Sequence, residues 1–333
     1  MFDLSPWRRW LPAAAGCTML ALAFGMAAGS AGWGWVEPEI LWGVRAPRVA
    51  SGFLSGAALA LSGALLQSIT RNPLADPSVL GVSGGAAVGA LAVLAWGPAD
   101  SANPWWPMLG AAVGAAVATA LLLGLSWRAL GVGGRAAVAS ASGHAHEGTV
   151  TLLLLGVMIG SACAAGISLM LSLAPEGQLR GMVFWLLGDL NGATQWLPAA
   201  LALGVALLLV LPHAGELDLL ARGDAWAHTL GVAVARRRRA VLAAAALATG
   251  AAVATAGAIG FVGLVVPHAL RLAGVRAASA LLPASALAGG AFVVVVDALA
   301  RTLVAPIQLP VGVLSACIGV PAFVFFLLRG RVH

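Results

Sequence analysis

A chain of 333 residues that is 61% hydrophobic and only 9% charged falls outside the ordinary soluble class, where charged residues make up about 25%. The formal net charge is +6, and with no lysine present all 18 Lys-plus-Arg positions are arginine, which rules out any phosphate-binding loop that needs Gly-Lys-Ser/Thr. Apolar runs of about 20 residues, enough to cross about 30 Å of hydrocarbon, recur along the chain, and helices are the open-chain solution for such runs in lipid. The expected fold is therefore all-α, a polytopic membrane protein forming a single domain over residues 1–333.

Apolar runs and breakers place about ten transmembrane helices along the chain. The first covers about residues 11–31. Arg8 and Arg9 ahead of it and the small residues from Ala27 to Ala31 also fit a cleavable signal, although about 21 residues is long for its apolar region. The second, about 49–69, ends at the stretch TRNPLADPSVLGVSGG (Thr70 to Gly85). There Pro73 and Pro77 end one helix and permit the next. The third follows at about 78–96, with Gly81, Gly84, Gly85 and Gly89 as small residues that allow close helix approach.

The fourth and fifth helices are expected at about 107–127 and 150–173, and the sixth at about 196–212. A long polar stretch then reads HAGELDLLARGDAWAHTLGVAVARRRR, His213 to Arg239. Its charges alternate with Leu217, Leu219, Leu220, Trp226 and Leu230, the pattern of short amphipathic helices lying on a surface; a docking surface and a plain connector both fit. From Ala240 to Ala273 the apolar run is continuous, and one helix of that length would measure about 50 Å. It is divided at Thr255 to Gly260 into segments at about 240–258 and 259–273. The last two helices are expected at about 279–300 and 310–328.

Arginine placement orients the chain. With the N-terminus inside, 14 of the 18 arginines fall on the cytoplasmic side, leaving Arg45, Arg48, Arg180 and Arg301 outside, as the positive-inside rule requires. Both termini are then cytoplasmic. The tryptophans gather near expected helix ends, as interfacial belts do. The basic charge is a topology signal, and its scatter over loops argues against nucleic acid as a partner.

Catalytic and metal chemistry find little support. Cys17, Cys163 and Cys317 are isolated and read as small buried residues, and no spacing suggests a metal site. The six histidines fall in or beside cytoplasmic segments. No ionisable residue is expected at mid-membrane, where an intramembrane hydrolase or a proton-coupled carrier would place one. Asp297 comes nearest, four residues before Arg301, where an i,i+4 pair is available.

Several segments together resemble the FecCD-type permeases, the membrane subunits of type II ABC importers for iron-siderophores, haem and cobalamin. They are RAPRVASGFLSGAALALSGALLQSITRNPLADPSVLGVSGGAAVGA (Arg45 to Ala90), GAIGFVGLVVPHALRL (Gly257 to Leu272), LLPASALAGG (Leu281 to Gly290) and DALARTLVAPIQLPVGVLSACIGVPAFVFFLL (Asp297 to Leu328). ELDLLARGDAWAHTLGV (Glu216 to Val232) is similar to the family's coupling loop, here about 213–239. The match runs in consistent order from about Arg45 to Arg329.

The resemblance implies a permease without ATPase activity, located in the bacterial inner membrane and paired with a second copy of itself. Two ATP-binding cassette subunits would bind ATP and magnesium inside, this chain holding no cofactor, and a periplasmic binding protein would deliver the cargo. By the same resemblance Arg45, Arg48 and Arg301 would meet carboxylates of the binding protein. Asn72 and Leu74, with Thr149 and Val150, would form the cytoplasmic gate. Glu216, Leu217, Asp218, Leu220, Arg222, Asp224, Trp226, His228 and Leu230 would face the ATPase. The chain departs from the family at Val275 to Ala278, where many members carry an Asp-His pair, and in the variable loop from Gly188 to Thr194. Among iron chelates, haem suits helices so poor in charge. An ion-coupled secondary transporter is the alternative, and an intramembrane enzyme the third reading.

Overall fold

The computed structural model describes residues 5–29, 32, 37–97, 103, 105–129 and 145–330. Among these residues the regular structure is all helical, with no strand. Each of the ten apolar segments expected from sequence is a helix, six of them long and apolar enough to cross a membrane and four shorter. In chain order they are α1 (Ser5–Ala27), α2 (Pro38–Thr70), α3 (Val82–Trp96), α4 (Trp105–Ala129), α5 (Ala145–Leu173), α7 (Leu197–Val210), α10 (Val234–Ala256), α11 (Val262–Leu272), α12 (Ala278–Thr302) and α13 (Val311–Gly330). Three further helices are α6 (Glu176–Leu186), α8 (Ala214–Arg222) and α9 (Asp224–Thr229). Sequence reading left α6 as outside loop, because Glu176, Arg180 and two glycines interrupt its apolar residues.

At the centre stands α2. It is 83% buried over its most apolar window, whereas α5 is only 6% buried, so α2 is a core helix and α5 a peripheral one. The neighbours of α2 are α10, α11, α12 and α7, and α1 packs on α12. In lipid such close approach comes from small side chains rather than from a hydrophobic force. A Cβ on Gly63 would sit 1.9 Å from the Gly263 carbonyl oxygen of α11, and one on Gly56 would sit 2.3 Å from that of Gly289 in α12. The same contact joins α3 to α4: Gly85 and Gly89 lie against Gly114 and Gly110, with 2.5 Å and 2.0 Å left for a Cβ.

The division of the long apolar run falls where its glycines suggested. Helix α10 ends at Ala256, Gly257 adopts φ 67°, and α11 begins at Val262. Glycine is needed there twice over, since a Cβ would also stand 2.3 Å from the Trp185 carbonyl oxygen at the end of α6. Trp42, Trp96, Trp105, Trp106 and Trp196 lie exposed near helix ends, as a membrane interface requires. The cysteines depart from expectation: Cys17 and Cys317 are exposed on outward faces of their helices, and Cys163 is half-buried against Gly84 of α3.

Candidate functional site

The turn that follows α2 is built by its own side chains. Thr70 Oγ1 donates to the Leu66 carbonyl at 2.7 Å, and Arg71 takes the left-handed conformation (φ 53°) that stops the helix. Asn72 Oδ1 then accepts the Leu74 N–H at 2.9 Å, and the Asn72 carbonyl accepts the Ala75 N–H at 3.1 Å. This is the asparagine turn expected of a short polar side chain beside proline. Asp76 Oδ1 caps the next short helical turn, Pro77–Leu80, by accepting the Ser78 N–H at 2.8 Å. Leu74 is left 48% exposed at the tip, although it is a large apolar residue.

The turn is gripped from the core by Gln67, a buried amide on α2. Its Nε2 donates to the carbonyls of Ala75 at 3.4 Å, Gly263 at 3.2 Å and Leu264 at 3.2 Å, while its Oε1 accepts from Arg271 of α11. A buried amide left unpaired would cost about 1–3 kcal/mol, so these bonds hold the turn and the first turn of α11 together. On the other side Gly81 lies against Gly156 and Ile159 of α5. Thr149 and Val150 lie on α5 ahead of Gly156; their side chains fall outside the described residues.

The polar stretch from His213 folds into two short helices as its alternation implied. Leu217 and Leu220 of α8 are buried, whereas Trp226 is 57% exposed and Leu230 54%. One face is therefore anchored and the other is open. The anchors are ionic. Glu216 accepts two bonds from Arg237 at 2.9 and 2.8 Å, the bidentate geometry that suits Arg and carboxylate. Asp224 pairs with Arg238 of α10 at 3.0 Å and with Arg71. Asp218 Oδ1 accepts the Ala278 N–H at 2.9 Å and so caps α12 from a distant segment. Burial pushes the Asp218 carboxyl above the usual range, opposed by that N–H and by Arg222. Arg222 and His228 lie on the same pair of helices, both exposed.

At the opposite ends of the helices the three outside arginines of the resemblance lie buried, at 6% exposure for Arg45, 7% for Arg48 and 3% for Arg301. Asp297, 1% exposed, holds Arg48 at 2.9 Å and Arg301 at 3.0 Å. Arg48 also donates to Gln308 Oε1 at 2.8 Å. Other arginine donors go to the end of α1: Arg45 to the carbonyls of Met26 (2.9 Å) and Ala27 (3.1 Å), Arg301 to those of Ala28 (3.0 Å) and Gly25 (3.1 Å). A helix end leaves four carbonyls without intrahelical partners; at the end of α1 two arginines from two other helices satisfy those of Gly25, Met26 and Ala27, and the Ala28 N–H satisfies that of Phe24.

Sequence reading anticipated the Asp297–Arg301 pair from spacing but not Arg48 as the second partner, which is 249 residues away. Nor did any signal mark the α1 carbonyls as acceptors. Arg180, the fourth outside arginine, is exposed on α6 with its guanidinium 5.5 Å from the Phe184 ring. In the loop after α6, burial raises the Asp189 carboxyl above its ordinary range against the N–H of Asn191 and the charge of Arg48.

Comparison with known proteins gives a consistent picture. The sequence profile of the FecCD transport family matches residues 14–329. The vitamin B12 import system permease protein BtuC of Escherichia coli O9:H4 (strain HS) is 36% identical over 335 residues, covering 97% of this chain and 96% of that protein. The hemin transport system permease protein HmuU of Yersinia pestis is also 36% identical, over 309 residues, covering 90% and 87%. A solved metal-chelate type ABC transporter in an inward-facing conformation superposes with a TM-score of 0.82 at 26% identity, covering 97% of this chain and 99% of the other.

Proposed function

The chain belongs to the FecCD transport family and is the permease of an ABC importer, and from that premise we propose how it is assembled and what it carries. It crosses the bacterial inner membrane ten times, both termini lie in the cytoplasm, and two copies enclose the pathway. Two ATPase subunits bind inside, holding ATP and magnesium, and this chain binds no cofactor. The observation that carries this reading is the α8–α9 pair: an exposed Trp226 and Leu230 on helices bolted by Glu216, Asp218 and Asp224 to the rest of the bundle. Such a surface is rigid, apolar at its centre and charged at its rim, which suits a partner subunit.

Asn72 and Leu74, with Thr149 and Val150 of α5, form the inner seal. The support is the preformed turn, its exposed Leu74, and the approach of α5 at Gly81. The cargo is an iron chelate, haem ahead of ferric siderophore, or cobalamin. Vitamin B12 and hemin permeases are equally similar at 36% identity, so the ranking comes from the scarcity of charge along the helices. A periplasmic binding protein delivers it. Its docking at Arg45, Arg48 and Arg301 has the resemblance for support; any incoming carboxylate must displace Asp297 and the α1 carbonyls from these buried arginines.

Co-expression with the cognate ATPase subunit tests the reading. The two should copurify, and in liposomes ATP hydrolysis should rise when loaded binding protein is added. A permease that copurifies with no ATPase, or hydrolysis indifferent to the binding protein, would overturn it.

A further inference from the structure

The polar contacts of Arg71 connect the two parts of the inner face that the permease reading treats separately. Arg71 is the last residue before the Asn72–Leu74 turn and sits in a left-handed conformation that side chains rarely adopt. Its guanidinium leaves the turn and reaches the junction of α8 and α9. Nε donates to the Leu220 carbonyl at 3.1 Å, near the negative end of α8, and Nη2 pairs with Asp224, the first residue of α9. On its far side Asp224 holds Arg238.

The other ionic anchors of these helices lead elsewhere, Glu216 to Arg237 of α10 and Asp218 to the start of α12. The turn itself is stiff. Asn72 closes it on the Leu74 and Ala75 N–H groups, and Gln67 fixes Ala75 from the core side. A displacement of the α8–α9 junction that pulls on Arg71 therefore moves Asn72 and Leu74 as one body against the Gln67 anchor.

We propose that Arg71 is the positioning residue that transmits movement of the α8–α9 pair to the Asn72–Leu74 seal. The proposal depends on the ABC permease reading, in which the ATPase moves those helices. Small-side-chain replacement removes this polar link while leaving the packing of α8 on α2, the Glu216 and Asp218 anchors and the exposed Trp226 surface in place.

The test uses the complete complex of permease, ATPase and binding protein in liposomes, as wild type, Arg71→Ala and Arg71→Lys. Arg71→Ala should copurify with the ATPase and hydrolyse ATP at the basal wild-type rate, yet import at least tenfold less cargo per ATP. Arg71→Lys, which keeps the charge for Asp224 but lacks the separate Nε donor that holds Leu220, should recover part of that ratio. Gate motion is read directly by Leu74→Cys in a background with Cys17, Cys163 and Cys317 replaced by serine. The reactivity of that cysteine toward an aqueous maleimide should change with nucleotide in the parent and stop changing once Arg71→Ala is added. Wild-type cargo per ATP in Arg71→Ala, unaltered nucleotide dependence of the maleimide reaction, or loss of copurification would each overturn the assignment, the last by making Arg71 a mere assembly contact. A wild-type complex without ATP-dependent import would instead overturn the permease reading itself.

Discussion

Asp297→Ala removes the one carboxylate that Arg48 and Arg301 share. Arg48 would keep Gln308 and Arg301 would keep the α1 carbonyls, but two guanidiniums at 7% and 3% exposure would stand together without a directly paired carboxylate, Asp189 acting on Arg48 only at a distance. Removing one partner of a buried ion pair costs about 3–5 kcal/mol. Asp297→Asn keeps the shape and one acceptor, so its loss should be nearer the about 1.5–3 kcal/mol of a hydrogen bond to a charged group. At this chain length a stability change of 1 kcal/mol moves the melting temperature by about 2 °C. Thermal unfolding of the purified permease in detergent, at one fixed scan rate because such unfolding is commonly irreversible, should therefore fall by about 6–10 °C for the alanine variant and by about half as much for the asparagine variant. Alanine and wild type melting within 1 °C of each other, at about the noise of the method, would refute the buried triad and leave the arginines available for docking.

Gly63→Ala should disrupt the contact of α2 with α11, since its new methyl group would lie 1.9 Å from the Gly263 carbonyl oxygen. A loss of about 1–3 kcal/mol or more should appear as a lower melting temperature. Leu74→Ala removes the exposed tip of the inner turn, and proteoliposomes carrying it should leak preloaded cargo without ATP; unchanged tightness would take this turn out of the seal. Asp218→Ala should cost about 1 kcal/mol through the lost cap of α12, while Asp218→Asn, which keeps an acceptor for the Ala278 N–H, should cost less. The folded carboxyl of Asp218 is raised, so the folded state holds its proton more tightly than the unfolded chain does. Its contribution to stability is then full below the unfolded value and is lost as pH rises through the folded one, and Asp218→Asn should flatten that part of a melting-temperature profile against pH.

Helix positions were legible in the sequence because lipid forces every apolar stretch of sufficient length into one structure. The break at Gly257 was legible for a related reason, since a single helix through it would overshoot the bilayer. The amphipathic stretch after His213 announced α8 and α9 through its alternation, and the buried Leu217 and Leu220 and the exposed Trp226 follow that pattern. Helix α6 was hidden because its charges resemble those of a loop. The arginine network was hidden for a different reason: Arg48 and Asp297 are 249 residues apart, and the acceptors on α1 are backbone carbonyls, which carry no sequence mark. Charge counting could place Arg45, Arg48 and Arg301 on the outer side, but not tell a docking rim from an internal clasp. Likewise Arg71 read only as a marker of the cytoplasmic face until its reach to Leu220 and Asp224 was seen.

The central claim, that this chain is a passive path driven by an ATPase partner, is tested most directly by cargo uptake into sealed proteoliposomes. Permease, ATPase subunit and loaded binding protein should together accumulate haem or another chelate only when ATP is present on the ATPase side, with no effect of a proton or sodium gradient. Uptake by the permease alone, driven by an ion gradient and indifferent to ATP, would contradict it.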